Sequence, residues 1–321
     1  MCLICMSLYV IGVLILALYC YDRRLFKPRD CEKEPDRWIE NQNNKTTARY
    51  NIAVVTVSDN YIGPDTVVAS IENKKLYAAS QGYDFITPTV SERRKLVGNS
   101  DPKRAKFALI SKVFRSEKKY DALLWIDMDA VIMRHDVDVN FLLQEMILLD
   151  KYIAIAPDAI IYDMYNSGVF LIRNGKWTTS FLQEFKNAHL LIQMCRGLNL
   201  CPPGLYDQNI IAFLRGVWPT CAWHFKLWPF APIHPKHNHF TKMIYEVPAC
   251  VLNAVPEEAS PRTFIQHCYG GNIADTMSSL SRRNTKGKGL CVLNLLNQSM
   301  TNQERNDEYY SHTKTIDTTT I

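Results

Sequence analysis

Leu123-Leu124-Trp125-Ile126-Asp127-Met128-Asp129-Ala130-Val131-Ile132 is the stretch on which the reading of this chain turns. Apolar residues flank the two carboxylates on both sides, so the segment reads as a buried strand interrupted by Asp127 and Asp129. Unpaired charge in such a place is costly and persists only with a partner such as a metal ion. Residues two apart share a face of a regular strand, and a bend at the strand end would also let both reach one hard cation through oxygen. In open α/β sheets ligands collect at the carboxyl ends of the strands. A plainer alternative exists, in which the pair merely caps the following loop, and for an isolated D-x-D it is the commoner one.

Working outward, Asn51–Val57 is a short β-branched run and Tyr83–Ile86 a second strand. Between them Val68, Ile71, Leu76 and Ala79 recur at helical spacing over Val67–Ser80, and Gly82 supplies a stop. Lys103–Ser116 is again amphipathic, with Phe107, Ile110, Val113 and Phe114 on one face, and the acidic strand follows it. Tyr152–Ala156 and Gly168–Ile172 add two apolar strands, while Thr178–Leu191 and Asp207–Arg215 read as helices. This alternation predicts an α/β fold with a mostly parallel central sheet flanked by helices. Asn166–Gly168 is expected as a loop ahead of its strand, with Gly168 allowing close backbone approach. His234, His237 and His239 form a rival metal cluster, but Pro235 and Asn238 make a solvated loop the better reading.

The 321 residues are 47% hydrophobic, enough for one large core, and the net charge of +5 is spread without a basic, aromatic-interleaved stripe. Nucleic acid is therefore not an expected partner. Residues 1–21 contain no charged side chain and would span roughly 31 Å as a helix, about one hydrocarbon thickness. They are expected to be an uncleaved transmembrane signal-anchor. Arg23, Arg24, Lys27 and Arg29 after the span favour a cytoplasmic domain. The sequons at Asn44 and Asn297 favour a lumenal one. Outside the anchor seven cysteines remain (Cys31, Cys195, Cys201, Cys221, Cys250, Cys268, Cys291), compatible with up to three disulfides. Residues 22–50 read as a polar stem, 51–275 as the catalytic domain, and 276–321 as an extension that turns polar and Thr-rich from Met300.

Several segments, in order over about residues 50–272, together resemble glycosyltransferase family 34. Asn73-Lys74-Lys75-Leu76-Tyr77-Ala78 with Gln81-Gly82-Tyr83 is similar to its early helix. Arg104-Ala105-Lys106 is similar to its W-A-K segment with Arg for Trp, and Trp125–Ala130 to its W-x-D-x-D-A core. Asn166–Asn174 followed by Trp177 looks like N-T/S-G-x-F-x-x-R-N-x-x-W, Asp207-Gln208 like its D-Q, and Gln266–Gly270 like its late H-x-x-G. Family 8 transferases share the D-x-D, the N-x-G and the late His, so the ordered set carries the specificity.

The resemblance implies a GT-A nucleotide-sugar fold behind a Golgi membrane anchor, type II, with the catalytic domain in the lumen. It implies Mn²⁺ held by Asp127, Asp129 and His267, a hard oxygen and nitrogen set suited to that ion. It makes Lys106, Asp127, Asn166, Ser167, Gly168 and Gly270 donor-binding candidates, and Asp207 and Gln208 the groups nearest the reacting carbon. Asp207 equally suits the N-cap of the following helix. The expected activity is retaining transfer of a hexose from UDP-galactose, or else GDP-mannose or UDP-xylose, to an oligosaccharide or glycoprotein. A glycogenin-like family 8 transferase and a catalytically silent nucleotide-sugar-binding membrane protein are the alternatives. Two departures bear on donor identity: Asn272 stands where a cation is usual, and Tyr206 where many members carry an acid.

Overall fold

The all-apolar, β-branched run at Ile52–Val55 forms β1 and is buried along its whole length. From there the computed structural model runs α1 (Pro64–Gln81), β2 (Asp84–Ile86), α2 (Val90–Val97), α3 (Ala105–Phe114), β3 (Ala122–Ile126) and β4 (Ala130–Ile132). It continues with α4 (Asn140–Leu148), β5 (Ile153–Pro157), β6 (Tyr165–Arg173), α5 (Lys176–Gly197) and α6 (Asp207–Arg215). Last come α7 (His237–Lys242), β7 (Ile244–Glu246), α8 (Ala249–Leu252) and β8 (Ile265–His267). The structure describes residues 48–58, 64–97, 105–158, 164–197, 207–215, 237–255 and 263–268, all within one compact unit, residues 1–271.

A six-stranded sheet has the order β2-β1-β3-β6-β5-β7. β2, β1 and β3 pair in parallel, as do β5 and β7, whereas β6 is antiparallel to both β3 and β5. The sheet is thus mixed, with β6 the exception to the parallel expectation. The physical reason is the short link between β5 and β6, residues 158–164, far below the dozen or so that a parallel crossover needs.

Alternate residues of each strand feed different cores. Val54, Leu124, Ile126, Val169 and Leu171 face one layer with Tyr77 of α1 and Phe141, Leu142 and Met146 of α4. Val55, Leu123, Trp125, Phe170 and Ile172 face the other, with Phe107 and Ile110 of α3, Phe181 and Phe185 of α5 and Ile211 of α6. Burial on both faces explains why these strands read as continuous apolar runs rather than alternating ones. α1 stops at Gly82, whose φ of +68° suits glycine, while Tyr83 N–H donates to Ala78 O (2.8 Å) to close the helix end.

Three expectations need correction. The acidic segment is not one strand: it turns at Met128 and Asp129, and β4 leaves the main sheet to pair antiparallel with β8. Asn166, Ser167 and Gly168 lie inside β6 rather than in a loop before it, because β5 offers ladder partners as far as Tyr165. His237 and His239 begin the helix α7 instead of a loop; His234 lies outside the described residues. Thr178–Leu191 is helical as expected, within the longer α5. Among the described residues no helix is long and apolar enough to cross a membrane. The expected anchor, the stem up to residue 47, Tyr206, Gly270, Asn272 and the extension lie outside the described residues.

Candidate active site

The site is built where β3 ends. Asp127 N–H donates to Gly168 O (2.7 Å), continuing the β3–β6 ladder one residue past the strand. Ala130 N–H then donates to Asp127 O (3.1 Å), closing the turn that carries Asp129. The face of α1 holds this turn from beneath: Ser70 Oγ donates to Met128 O (2.5 Å) and Lys74 Nζ to Ala130 O (2.8 Å). Asn73 bonds Ile132 reciprocally, Nδ2 to the carbonyl (3.0 Å) and the backbone N–H to Oδ1 (2.8 Å). Each of these side chains is buried, so the geometry of the D-x-D turn is fixed rather than adaptive.

Lys106, on the first turn of α3, is the hub. Its ammonium donates to Asp207 Oδ2 (2.6 Å) and Ser167 O (2.7 Å), and pairs with Asp127 Oδ1 (3.1 Å). Ser167 Oγ also donates to Asp207 Oδ2 (2.8 Å), and the Trp125 indole Nε1–H donates to Asp127 Oδ1 (2.6 Å). Burial alone would depress the lysine, but Asp127 and Asp207 outweigh it and hold the ammonium above its ordinary value. Burial would likewise raise Asp207, yet Lys106, Ser167 and the Gln208 N–H keep its carboxyl below the usual range. Asp127 goes the other way: burial raises it, Lys106 only partly offsets that, and the nearby Asp129 adds to the rise. A second cation near the two aspartates would relieve that strain.

Across the turn, His267 Nε2 lies 3.1 Å from Asp129 Oδ1 and His267 Nδ1 lies 3.0 Å from Asn253 Oδ1. One ligand atom from each of Asp127, Asp129 and His267 falls within 4.8 Å of the others. The aspartate side chains are 29% and 22% exposed and His267 only 7%, so the triad opens on its carboxylate side. Oxygen and imidazole donors at this separation fit a hard or borderline divalent ion such as Mn²⁺. Gly168 has a steric reason to be glycine: a Cβ there would lie 2.3 Å from His267 Cε1 and 2.6 Å from Nδ1.

The structure thus brings Lys106, Asp127, Asp129, Ser167, Gly168, Asp207 and His267 together. Asn166 and Gln208 sit beside them, their side-chain amides both donating to Asp158 Oδ2 (3.1 Å each). Asp207 is the first helical residue of α6, one place inside the N-cap position the sequence suggested, and pairs with Lys106. Sequence reasoning missed Asp158 and Asn253. Asp158 was open to it, since a carboxylate directly after the buried run of β5 obeys the rule that singled out Asp127 after β3. Asn253 has no such signal.

Residues 48–158 match the model of the galactosyl transferase GMA12/MNN10 family. No curated protein matches the chain. Similar solved structures include a glycosyltransferase involved in glycosylation of the major capsid of PBCV-1, at 14% identity and TM-score 0.41, covering 72% of this chain and 99% of that one. The galactosyltransferase LgtC in complex with donor and acceptor sugar analogs has 14% identity and TM-score 0.41, over 74% and 98%. Mouse xyloside xylosyltransferase 1 has 12% identity and TM-score 0.38, over 68% and 97%. The segment matched by the family model contains Lys106, Asp127, Asp129 and the α1 face beneath them, and the chain is a glycosyltransferase, similar over residues 48–158 to the galactosyl transferase GMA12/MNN10 family.

Proposed function

We propose that this chain is a metal-dependent, retaining hexosyltransferase that moves a sugar from a nucleotide diphosphate donor to an oligosaccharide or glycoprotein in the Golgi lumen. UDP-galactose is the first candidate donor, ahead of GDP-mannose and UDP-xylose. One observation carries the reading: Lys106 joins Asp127 to Asp207 while His267 stands against Asp129. Groups suited to a diphosphate and groups suited to a reacting sugar therefore share one site.

Asp127, Asp129 and His267 would hold Mn²⁺, which supplies neutralising charge for a departing diphosphate. Lys106 adds a fixed ammonium on the same side, held in place by two carboxylates and a carbonyl. Asp207, kept ionised, steadies positive charge developing at the anomeric carbon. Gln208, its Nε2 tied to Asp158, has its carbonyl oxygen as the remaining polar end for the sugar. The proton of the acceptor hydroxyl passes to the leaving phosphate oxygen, so no further carboxylate base is invoked.

The test is incubation of the purified protein with a panel of radiolabelled nucleotide sugars, with Mn²⁺ or with chelator. We expect sugar release from one donor, falling about 100-fold or more in Asp129→Ala and with chelator. Release indifferent to both would sink the reading, and nucleotide binding without any release would make the chain a binding protein.

A further inference from the structure

Asn253 follows the short helix α8 and is fully buried, with its Oδ1 turned to His267 Nδ1 at 3.0 Å. An amide oxygen can only accept, so this arrangement places the ring proton on Nδ1. In the neutral form of the ring the lone pair of Nε2 then points toward Asp129 Oδ1, 3.1 Å away. In that form two acceptors face each other, and they repel unless a proton or a metal cation lies between or beside them. The segment carrying the ring is tied on both sides: His267 N–H donates to Ala254 O (2.8 Å) and Cys268 N–H to Asp129 O (2.9 Å), while the ring lies so close to Gly168 that a Cβ there would meet Cε1 at 2.3 Å. The opposite amide orientation would put a donor on Nδ1, move the proton to Nε2 and remove the lone pair that a cation needs.

We infer that Asn253 is a positioning residue that sets the His267 tautomer and so makes Nε2 a ligand atom for a divalent cation. The inference rests on the reading of Asp127, Asp129 and His267 as a cation site. Outer partners of this kind fix ring orientation and ligand basicity, and their loss typically weakens metal affinity about 10–100-fold. Here the partner comes from a segment between β7 and β8, which carries no residue of the cation triad itself.

The experiment uses the full chain, with Mn²⁺ alone as the probe. Long-range ¹H–¹⁵N correlation on the cation-free protein at mildly alkaline pH, assigned by comparison with His267→Gln, reads the tautomer. Free Mn²⁺ measured by electron paramagnetic resonance reads affinity. The wild type is expected to show the Nδ1–H tautomer, Asn253→Leu to lose it and bind Mn²⁺ about 10–100-fold more weakly. Asn253→Asp, whose carboxylate also accepts from Nδ1, is expected to keep both. An Nε2–H tautomer in the wild type, or equal Mn²⁺ affinity in a folded Asn253→Leu variant, overturns the inference. If Asn253→Leu does not fold, the wild-type tautomer and the Asn253→Asp affinity decide it. A wild type that binds no Mn²⁺ defeats the cation reading instead, and the cation-free spectrum still judges Asn253.

Discussion

Gly168 and Lys106 show how much of the site depends on single side chains. Gly168→Ala places a methyl group 2.3 Å from His267 Cε1, against a ring already held through its backbone. Overpacking of this kind costs about 1–3 kcal/mol, so the variant is expected to unfold at lower urea and to bind Mn²⁺ more weakly. Unchanged affinity would mean that the ring moves aside without penalty. Lys106→Met leaves Asp127 and Asp207 in a buried site without their shared cation. Breaking such a pair costs about 3–5 kcal/mol, readable by urea unfolding. Adding Asp207→Asn should restore part of that stability but no transferase activity. Lys106 was legible only through the likeness of its surrounding motif to family 34, because a lysine on a helix carries no signal of its own. Asn253 was not legible at all, since its partner His267 is fourteen positions away and the pairing exists only once β8 is docked.

At the level of elements, α1 does more than cover the sheet. Ser70, Asn73 and Lys74 lie on one face of it and hold three successive parts of the D-x-D turn and β4. Lys74 is buried with only neutral hydrogen-bond partners, Ser70 and Ala130, and burial pushes its pKa down from 10.5 to about 7 despite Asp129 and Asp127. Between these values the unfolded chain binds the proton and the folded chain does not, so this group makes stability rise with pH from about 7 to 10.5. Below that window the folded protein carries a buried ammonium at a cost. Lys74→Met should therefore remove a slope of up to about 1.4 kcal/mol per pH unit. Urea unfolding of both proteins across the window, with chelator present, measures the difference; parallel curves would contradict it. Helices α1, α3, α5 and α6 were readable from their apolar spacing, with Gly82 marking a stop, and β1, β3, β5 and β6 from their apolar runs; α2, α4, α7 and α8 were not. Among the three-residue strands, β2 was read from its run after Gly82, β4 was taken as a continuation of β3, and β7 and β8 were not read, since three residues are too few to show a period.

On the scale of the whole molecule, the two apolar layers on opposite faces of one sheet follow from runs such as Ala122–Ile126, buried at every position. The reversed β6 was the part not written in those runs, since it depends on link length rather than on composition. The proposed lumenal placement makes its own prediction. Asn44→Gln and Asn297→Gln should each remove an endoglycosidase-sensitive mass from the protein expressed in a secretory system. A domain open to protease from the cytoplasmic side, with both sequons unmodified, would reverse the topology.

The contact between His267 and Asp129 joins positions 138 residues apart. An ion seated there would act on the chain as a removable staple, closing a loop whose permanent linkage would be worth about 4–5 kcal/mol in lost disorder of the unfolded state. Chelation would then do more than stop the reaction: it would free the late part of the chain for proteolytic clipping, so that turnover and resistance to degradation fade together as the ion is withdrawn.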